Sequence, residues 1–363
     1  MNRSAQIAWF LSLAAFVFVA FVTCGGSGGG GAARLGGDDD NDDATPADDD
    51  NDASADDDDA SPDDDDNDND DDNDNDDETA GWRPMNSGQT SFDLYGVWGA
   101  SATDVFTVGY NYSFDNNTGP ILHYDGNSWS SVNCGAEGEL VGVWGASATD
   151  VFAVGDNKWG GMILHYDGNS WSPMNIGTYN FVKCVWGASG TDVFAAEIPG
   201  VLHYDGSSWS QMSRADWPDY GVWGSSATDV FAVGIQGVII HWDGGAWSPM
   251  NSGTQNDLTG VWGASASDVF AVGNTGTVVH CDGSSCSLMA SLESNYELHG
   301  VWGSAATDVF VVGWGGSIFH YDGSSWSPMN GGSTNYALNG VWGAAASDVF
   351  AVGNNGVILH YGP

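Results

Sequence analysis

The chain has 363 residues, with 49 acidic side chains against six lysines and arginines and a formal net charge of −43. Cations this scarce cannot make the basic footprint that nucleic acid requires, and direct attraction to an anionic lipid surface fails for the same reason. The acid is unevenly placed: residues 38–78 hold 25 of the 49 acidic residues, which leaves 24 for the rest of the chain.

Residues 1–23 open on Arg3, followed by an uncharged run from Ile7 to Val22 and then Thr23, Cys24 and Gly25. A basic start, an apolar stretch and small residues at a cut site predict an export signal. Cys24 resembles the lipidated cysteine of bacterial lipoproteins. Gly25 after it, with no Asp there, resembles lipoproteins sent to the outer membrane of a Gram-negative cell. Thr23 and Phe21 depart from the usual residues before that cysteine. An uncleaved anchor helix and simple secretion stay open, although sixteen mostly apolar residues fall slightly short of the ~17–25 that span a bilayer.

Residues 24–80 are predicted to be a tether, first rich in Gly and then in Asp. Such a segment cannot bury a core, and its self-repulsion favours an extended stalk. The Asp-Asn alternation within 66–76 offers oxygen ligands at every second residue. A built Ca²⁺ loop also needs a turn-forming Gly and a bidentate carboxylate at fixed spacing. The tract lacks both, so weak, diffuse Ca²⁺ binding is the most it supports. No cofactor is expected.

From residue 81 onward one phrase recurs. Val-Trp-Gly stands with its Trp at 98, 144, 186, 223, 262, 302 and 342, in steps of 46, 42, 37, 39, 40 and 40. A period in that range marks a repeat architecture. Each unit holds four short runs of apolar, β-branched and aromatic residues between Gly, Ser, Asp and Asn clusters, with no helical period. Four strands per unit predict one blade of a β-propeller. The last unit ends after its third strand, and its missing fourth stands in front: Trp82-Arg-Pro-Met-Asn-Ser-Gly88 matches Trp247-Ser-Pro-Met-Asn-Ser-Gly253. The expected fold is therefore an all-β, seven-bladed propeller over 81–363, closed by its own N-terminal strand. A closed ring of this kind is expected to be a monomer.

The third and fourth strands of most units frame an Asp-Gly-x-Ser turn with Tyr before it and Trp after it. In the fifth unit both aromatics change together, to Cys281 and Cys286. Positions that change as a pair predict a hairpin in which they face each other, close enough for a disulfide. By the same logic Tyr and Trp should stack in the other blades. Cys134 and Cys184 are left unassigned. Export and one disulfide agree with each other.

This Asp-Gly-x-Ser-Trp turn resembles the Asp-box of sialidase-type propellers, with Asp at 125, 167, 205, 243, 282 and 322. The preceding Ala-Val-Gly-x-x-Gly-x-Ile-Leu resembles the propellers of photosystem II assembly factors. The whole unit resembles repeat-bearing surface lipoproteins of myxobacteria, which share the acidic stalk. In the Asp-box family the turn is a folding element. Sialidase catalysis needs three arginines around a carboxylate, and only Arg83 and Arg214 lie in this region, so no catalytic residue carries over. Seven histidines, at 123, 165, 203, 241, 280, 320 and 360, precede the hairpin aromatic and are expected to pack blades rather than hold metal, since no pair has a ligand spacing. The Val-Trp-Gly tryptophans are expected to be buried wedges between blades.

Two of the four connections per blade hardly vary; the other two vary widely and emerge on one face. Blade 1 inserts residues 110–120, with Tyr110, Tyr112, Phe114 and Asp115. Blade 2 carries Asp156 and Trp159, blade 3 Glu197, and the following link Asp216, Trp217, Asp219 and Tyr220; other links hold Tyr179, Asn256, Tyr296 and Tyr336. Aromatics beside Asn and Asp are what adaptable recognition surfaces use. The leading expectation is a non-enzymatic binding module that presents Tyr110, Tyr112, Phe114, Asp115, Trp159, Trp217 and Tyr220 to a protein or glycan. The alternative is a glycoside hydrolase or lyase using Asp115, Asp156, Glu197, Asp216 and Asp219, which requires carboxylates to converge.

Overall fold

A computed structural model describes residues 80–89, 92–112, 121–213, 220–292, 297–331 and 334–362. The export signal, Cys24 and all of the tether except Ala80 lie outside the described residues. So do Phe114, Asp115, Trp217 and Tyr296.

Seven four-stranded antiparallel sheets stand in sequence, six of them simple meanders. Together they are the blades of a seven-bladed propeller. Blade 2, for example, runs through Glu139–Ser147, Asp150–Asn157, Gly160–Tyr166 and Trp171–Pro173. Its short strands, broken by Gly-rich turns, follow from alternating β-branched and small residues. The first strands neighbour one another in a closed ring, with that of blade 7 beside that of blade 1. Blade 7 takes its fourth strand, Gly81–Met85, from the front of the described chain. It pairs with Ile358–Gly362 in the register Trp82↔Tyr361 and Pro84↔Leu359. Trp82 is buried there and packs on Tyr361 with ring centroids 5.4 Å apart. Ser87 Oγ, also buried, donates to the Gly356 carbonyl at 2.8 Å. The front strand thus covers what would otherwise be an open sheet edge.

Between blades the contacts are apolar and repeat. Phe350 and Val352 of blade 7 pack with Leu94, Val105, Leu122 and Trp129 of blade 1, and the pattern recurs around the ring. The hairpin aromatics stack as expected, Tyr124 on Trp129 at 5.2 Å and Tyr166 on Trp171 at 5.2 Å, and each pair also meets the Phe of the preceding blade. In blade 5, Cys281 and Cys286 are register partners and are joined by a disulfide. The Val-Trp-Gly tryptophans wedge between blades as expected and differ only in burial. They are half-buried rather than buried, because each projects over the glycine of the next blade's first strand instead of into the middle of the sandwich.

The recurring His and the recurring Asp of Thr/Ser-Asp-Val-Phe form one unit. His123 Nε2–H donates to Asp104 Oδ1 at 2.8 Å while the imidazole stacks on Phe106, centroids 4.4 Å apart. Equivalent Nε2–Oδ1 distances in the other six blades run from 2.6 to 3.4 Å. The register makes this inevitable: Phe106 faces His123 across the ladder, and Asp104 lies two residues from Phe106 on the same face. Among the described residues no group of three or more His, Cys, Asp or Glu side chains could hold a metal ion.

The Asp-box turns are equally regular. Asp125 Oδ1 accepts from the backbone N–H of Asn127 and Ser128, both at 2.9 Å, and the following Gly126 takes φ = +90°. In blades 3 and 6 the serine hydroxyl two residues on donates as well, and with the backbone donors it holds Asp205 and Asp322 down to about 2. A carboxyl held below its ordinary 3.8 in the folded chain stabilises the fold above that value, and the contribution is lost as pH falls through the folded one.

Two outcomes are expected. Stability followed by thermal melting should drop progressively between pH 3.8 and about 2, and Asp205→Asn with Asp322→Asn should flatten that part of the profile. Deleting residues 81–87 should lower the melting temperature far more than deleting residues 38–78, because the first deletion uncovers the edge of blade 7. Equal melting temperatures would contradict closure.

Candidate functional site

The variable face gathers the connections between second and third strands and the links between blades. In blades 4 to 7 the first of these is a single 3-10 turn, such as Asn274–Gly276, which sequence patterning did not anticipate. Its middle residue takes a left-handed conformation even where it is Thr275, at φ = +58°. Asn256, expected to be available for recognition, is used inside this scaffold: its Nδ2 donates to Thr275 and Thr277 Oγ1 at 2.6 and 2.9 Å.

Blades 1 to 3 are different. Tyr110 and Tyr112 meet edge to face at 5.0 Å, and the Tyr112 hydroxyl donates to Asp93 Oδ2 at 2.6 Å. Burial and that carboxylate push Tyr112 up to about 12. Tyr95, behind it, is raised further by burial and by the neighbouring Glu139. Burial also pushes the Glu139 carboxyl up, against the opposing pull of Lys183. Lys183 Nζ lies 3.6 Å from Asp156 Oδ1, and Lys158 Nζ donates to Glu137 Oε2 at 3.2 Å. Around this polar group stand three exposed rings: Trp159 at 74%, Tyr179 at 85% and Phe181 at 47% of full exposure. Trp159 forms a wall shared by two clefts, of about 510 and 340 Å³, with Met174 in the floor of both.

Two of the carboxylates named for the hydrolase or lyase alternative can be placed. Glu197 is fully buried at the end of its strand, where it accepts from Gln211 Nε2 at 2.6 Å. Asp156 is tied to Lys183. Of the carboxylates that the hydrolase or lyase alternative would use, Glu197 is thus bound inside its blade and Asp156 faces a lysine, while Asp115, Asp216 and Asp219 lie outside the described residues. Tyr220 is half-buried and its backbone N–H donates to the Val233 carbonyl at 3.2 Å. The residues missed by sequence reasoning are Tyr95, Glu139, Lys183 and Phe181. Tyr95 and Lys183 occupy the same position of the first strand, two residues before the valine of Val-Trp-Gly, where the side chain varies from blade to blade. There the ladder shifts by one residue in a β-bulge, which turns that side chain out of the sheet. The variation was visible; the bulge was not. Among the described residues the two thiols outside the disulfide, Cys134 and Cys184, are raised by burial and line neither cleft.

No family model and no curated protein matches the sequence. Solved structures do match the fold. One is YCF48 bound to D1 peptide, at 14% identity with TM-score 0.63, covering 78% of this chain and 97% of that one. YCF48 from Cyanidioschyzon merolae is similar at 14% identity and TM-score 0.62, over 78% and 99%. A catalytically inactive virginiamycin B lyase from Staphylococcus aureus with quinupristin is similar at 10% identity and TM-score 0.66, over 78% and 100%. At such identities the likeness is one of fold, and the fold hosts both binding and catalysis.

Exposure separates partner-facing residues from scaffold on this face. Trp159→Ala and Tyr179→Ala should change unfolding free energy by no more than about 0.5 kcal/mol. Glu197→Ala should cost about 1–3 kcal/mol, because it empties a fully buried position and removes the hydrogen bond to Gln211. Denaturant melts of the three variants would check this.

Proposed function

We propose that the chain is a surface-tethered, non-enzymatic binding propeller that presents the face of blades 1 to 3 to a protein partner. The observation that carries this reading is the concentration of exposed aromatic rings there, at Tyr112, Trp159, Tyr179 and Phe181, with two clefts lined by Trp159, one of them also by Tyr179. Exposed aromatics beside a concave, partly polar surface are the usual anchors of an interface. The buried Glu197 and the paired Asp156 argue against the carboxylate-based hydrolase or lyase. A protein partner is favoured over a glycan by the similarity to YCF48, whose solved complex holds a peptide. Lipidation at Cys24, an outer-membrane or cell-surface address and the acidic stalk as spacer complete the proposal. A stalk of about 55 residues reaches roughly 40 Å even as a random coil.

The test is capture of partners by the full chain from surface extracts, run beside a glycan array. Replacing Tyr112, Phe114, Trp159 and Trp217 by Ala should each weaken the captured complex by ~1 kcal/mol or more. Binding equal to wild type in all four would move the candidate to the opposite face or to the stalk. Replacing Cys24 by Ser should release the protein from the membrane fraction.

A further inference from the structure

Lys158 and Lys183 are the only two lysines in the chain. They sit in the same arrangement although they come from different elements. Lys158, in the turn after the second strand of blade 2, places Nζ 5.5 Å from the Trp159 ring centroid and 3.2 Å from Glu137 Oε2. Lys183, the bulge residue in the first strand of blade 3, places Nζ 5.7 Å from the Phe181 centroid and 3.6 Å from Asp156 Oδ1. Each ammonium thus lies between the face of an exposed ring and a carboxylate, the geometry that holds a cation. Asp156 and Lys158 are separated only by Asn157, so the two arrangements adjoin.

We propose that these are two cation sockets, Trp159–Glu137 and Phe181–Asp156, that the protein fills with its own lysines until a partner segment bearing lysine or arginine displaces them. The inference rests on the binding face proposed above and names the chemistry of what it takes. Charge supports a cationic occupant. The chain carries 49 acidic against six basic residues, so an acidic segment meets repulsion wherever it docks. The first pair is open, with Lys158 and Glu137 each 61% exposed; the second is half-buried, with Lys183 at 30% and Asp156 at 20%, and its 3.6 Å separation is longer than a hydrogen bond. An exposed pair such as Lys158–Glu137 holds weakly, and a guanidinium, planar and less hydrated, stacks on a ring and grips a carboxylate better than an ammonium does. A partner arginine is therefore a competitive replacement. At the first socket the clefts lined by Trp159, one of them also by Glu137 and Lys158, leave room for the backbone that would carry it.

The two lysines supply their own readout, which ignores whatever cationic peptide the acidic tract also gathers. The full chain would be acylated with a water-soluble N-hydroxysuccinimide acetate, and the rate at Lys158 and at Lys183 read separately by peptide mass. The probe is an N-acetylated, lysine-free arginine peptide in excess, against a neutral peptide at matched ionic strength. Displacement should raise both rates by about twofold to fivefold, the factor expected for losing a weak exposed cation–π and ion-pair contact. Trp159→Ala should abolish the increase at Lys158 and leave that at Lys183, and Trp159→Phe should restore part of it. Unchanged rates, or rates lowered by a peptide lying over the lysines, would overturn the proposal. If face variants weaken a captured partner while the arginine peptide leaves both rates unchanged, the sockets fall and the binding face stands. If the rates rise while capture ignores the face variants, the sockets stand and the wider face falls.

Discussion

Everything in this propeller depends on a ring of seven contacts in which the tryptophan of one Val-Trp-Gly covers the glycine of the next. Trp98 lies on Gly145, Trp144 on Gly187, Trp186 on Gly224, Trp223 on Gly263, Trp262 on Gly303, Trp302 on Gly343, and Trp342 returns to Gly99. A Cβ at any of these glycines would meet the indole at 2.5–2.8 Å, closer than real carbon atoms approach. The motif is therefore half of a contact, and the other half lies about 40 residues away, one repeat along the chain. The same step taken seven times closes the ring, so one tryptophan side chain against a glycine backbone sets the spacing between blades. Outside this ring of contacts the Phe–Tyr–Trp packing and the His–Asp bonds hold each blade to its own shape and to its neighbour.

A scaffold repeated this strictly leaves few places for individuality, and those places are informative. The bulge residue of the first strand is one. In blades 5 to 7 it is spent on closure: Thr259, His299 and Asn339 each bond a carbonyl of the next blade, at Leu298, Leu338 and Leu94. In blades 1 and 3 the same position is Tyr95 and Lys183, which instead join a group of carboxylates and tyrosines on the variable face. The ring is stitched on one side and opened to chemistry on the other. The exposed aromatics of blades 1 to 3 lie on that second side.

The polar network there is electrostatically tense. Asp93, Glu139 and Asp156 stand against one lysine, and burial beside these like charges is why Glu139 and Tyr95 both resist ionisation. Such a group favours an added cation and disfavours an added anion. The Asp-rich tract carries the same sign of charge, so the chain as a whole repels acidic surfaces.

The repeat, the strand content, the blade count and the closing strand were legible in the sequence, because periodicity and an unfinished last unit are one-dimensional facts. The facing of Cys281 with Cys286 and of Tyr with Trp was legible too, since paired positions change together within one hairpin. Which side chains serve the scaffold and which face a partner was decided only by the tertiary structure. Glu197 and Asn256 look like recognition residues in sequence, yet one is buried and bound to Gln211 and the other ties a turn. Lys158 and Lys183 look like ordinary surface charges, yet each is laid across a ring and against a carboxylate from a different part of the chain. Burial and ion pairing depend on atoms brought together across strands and, for Lys183 and Asp156, across blades, and a local pattern of residue types carries no record of that distance.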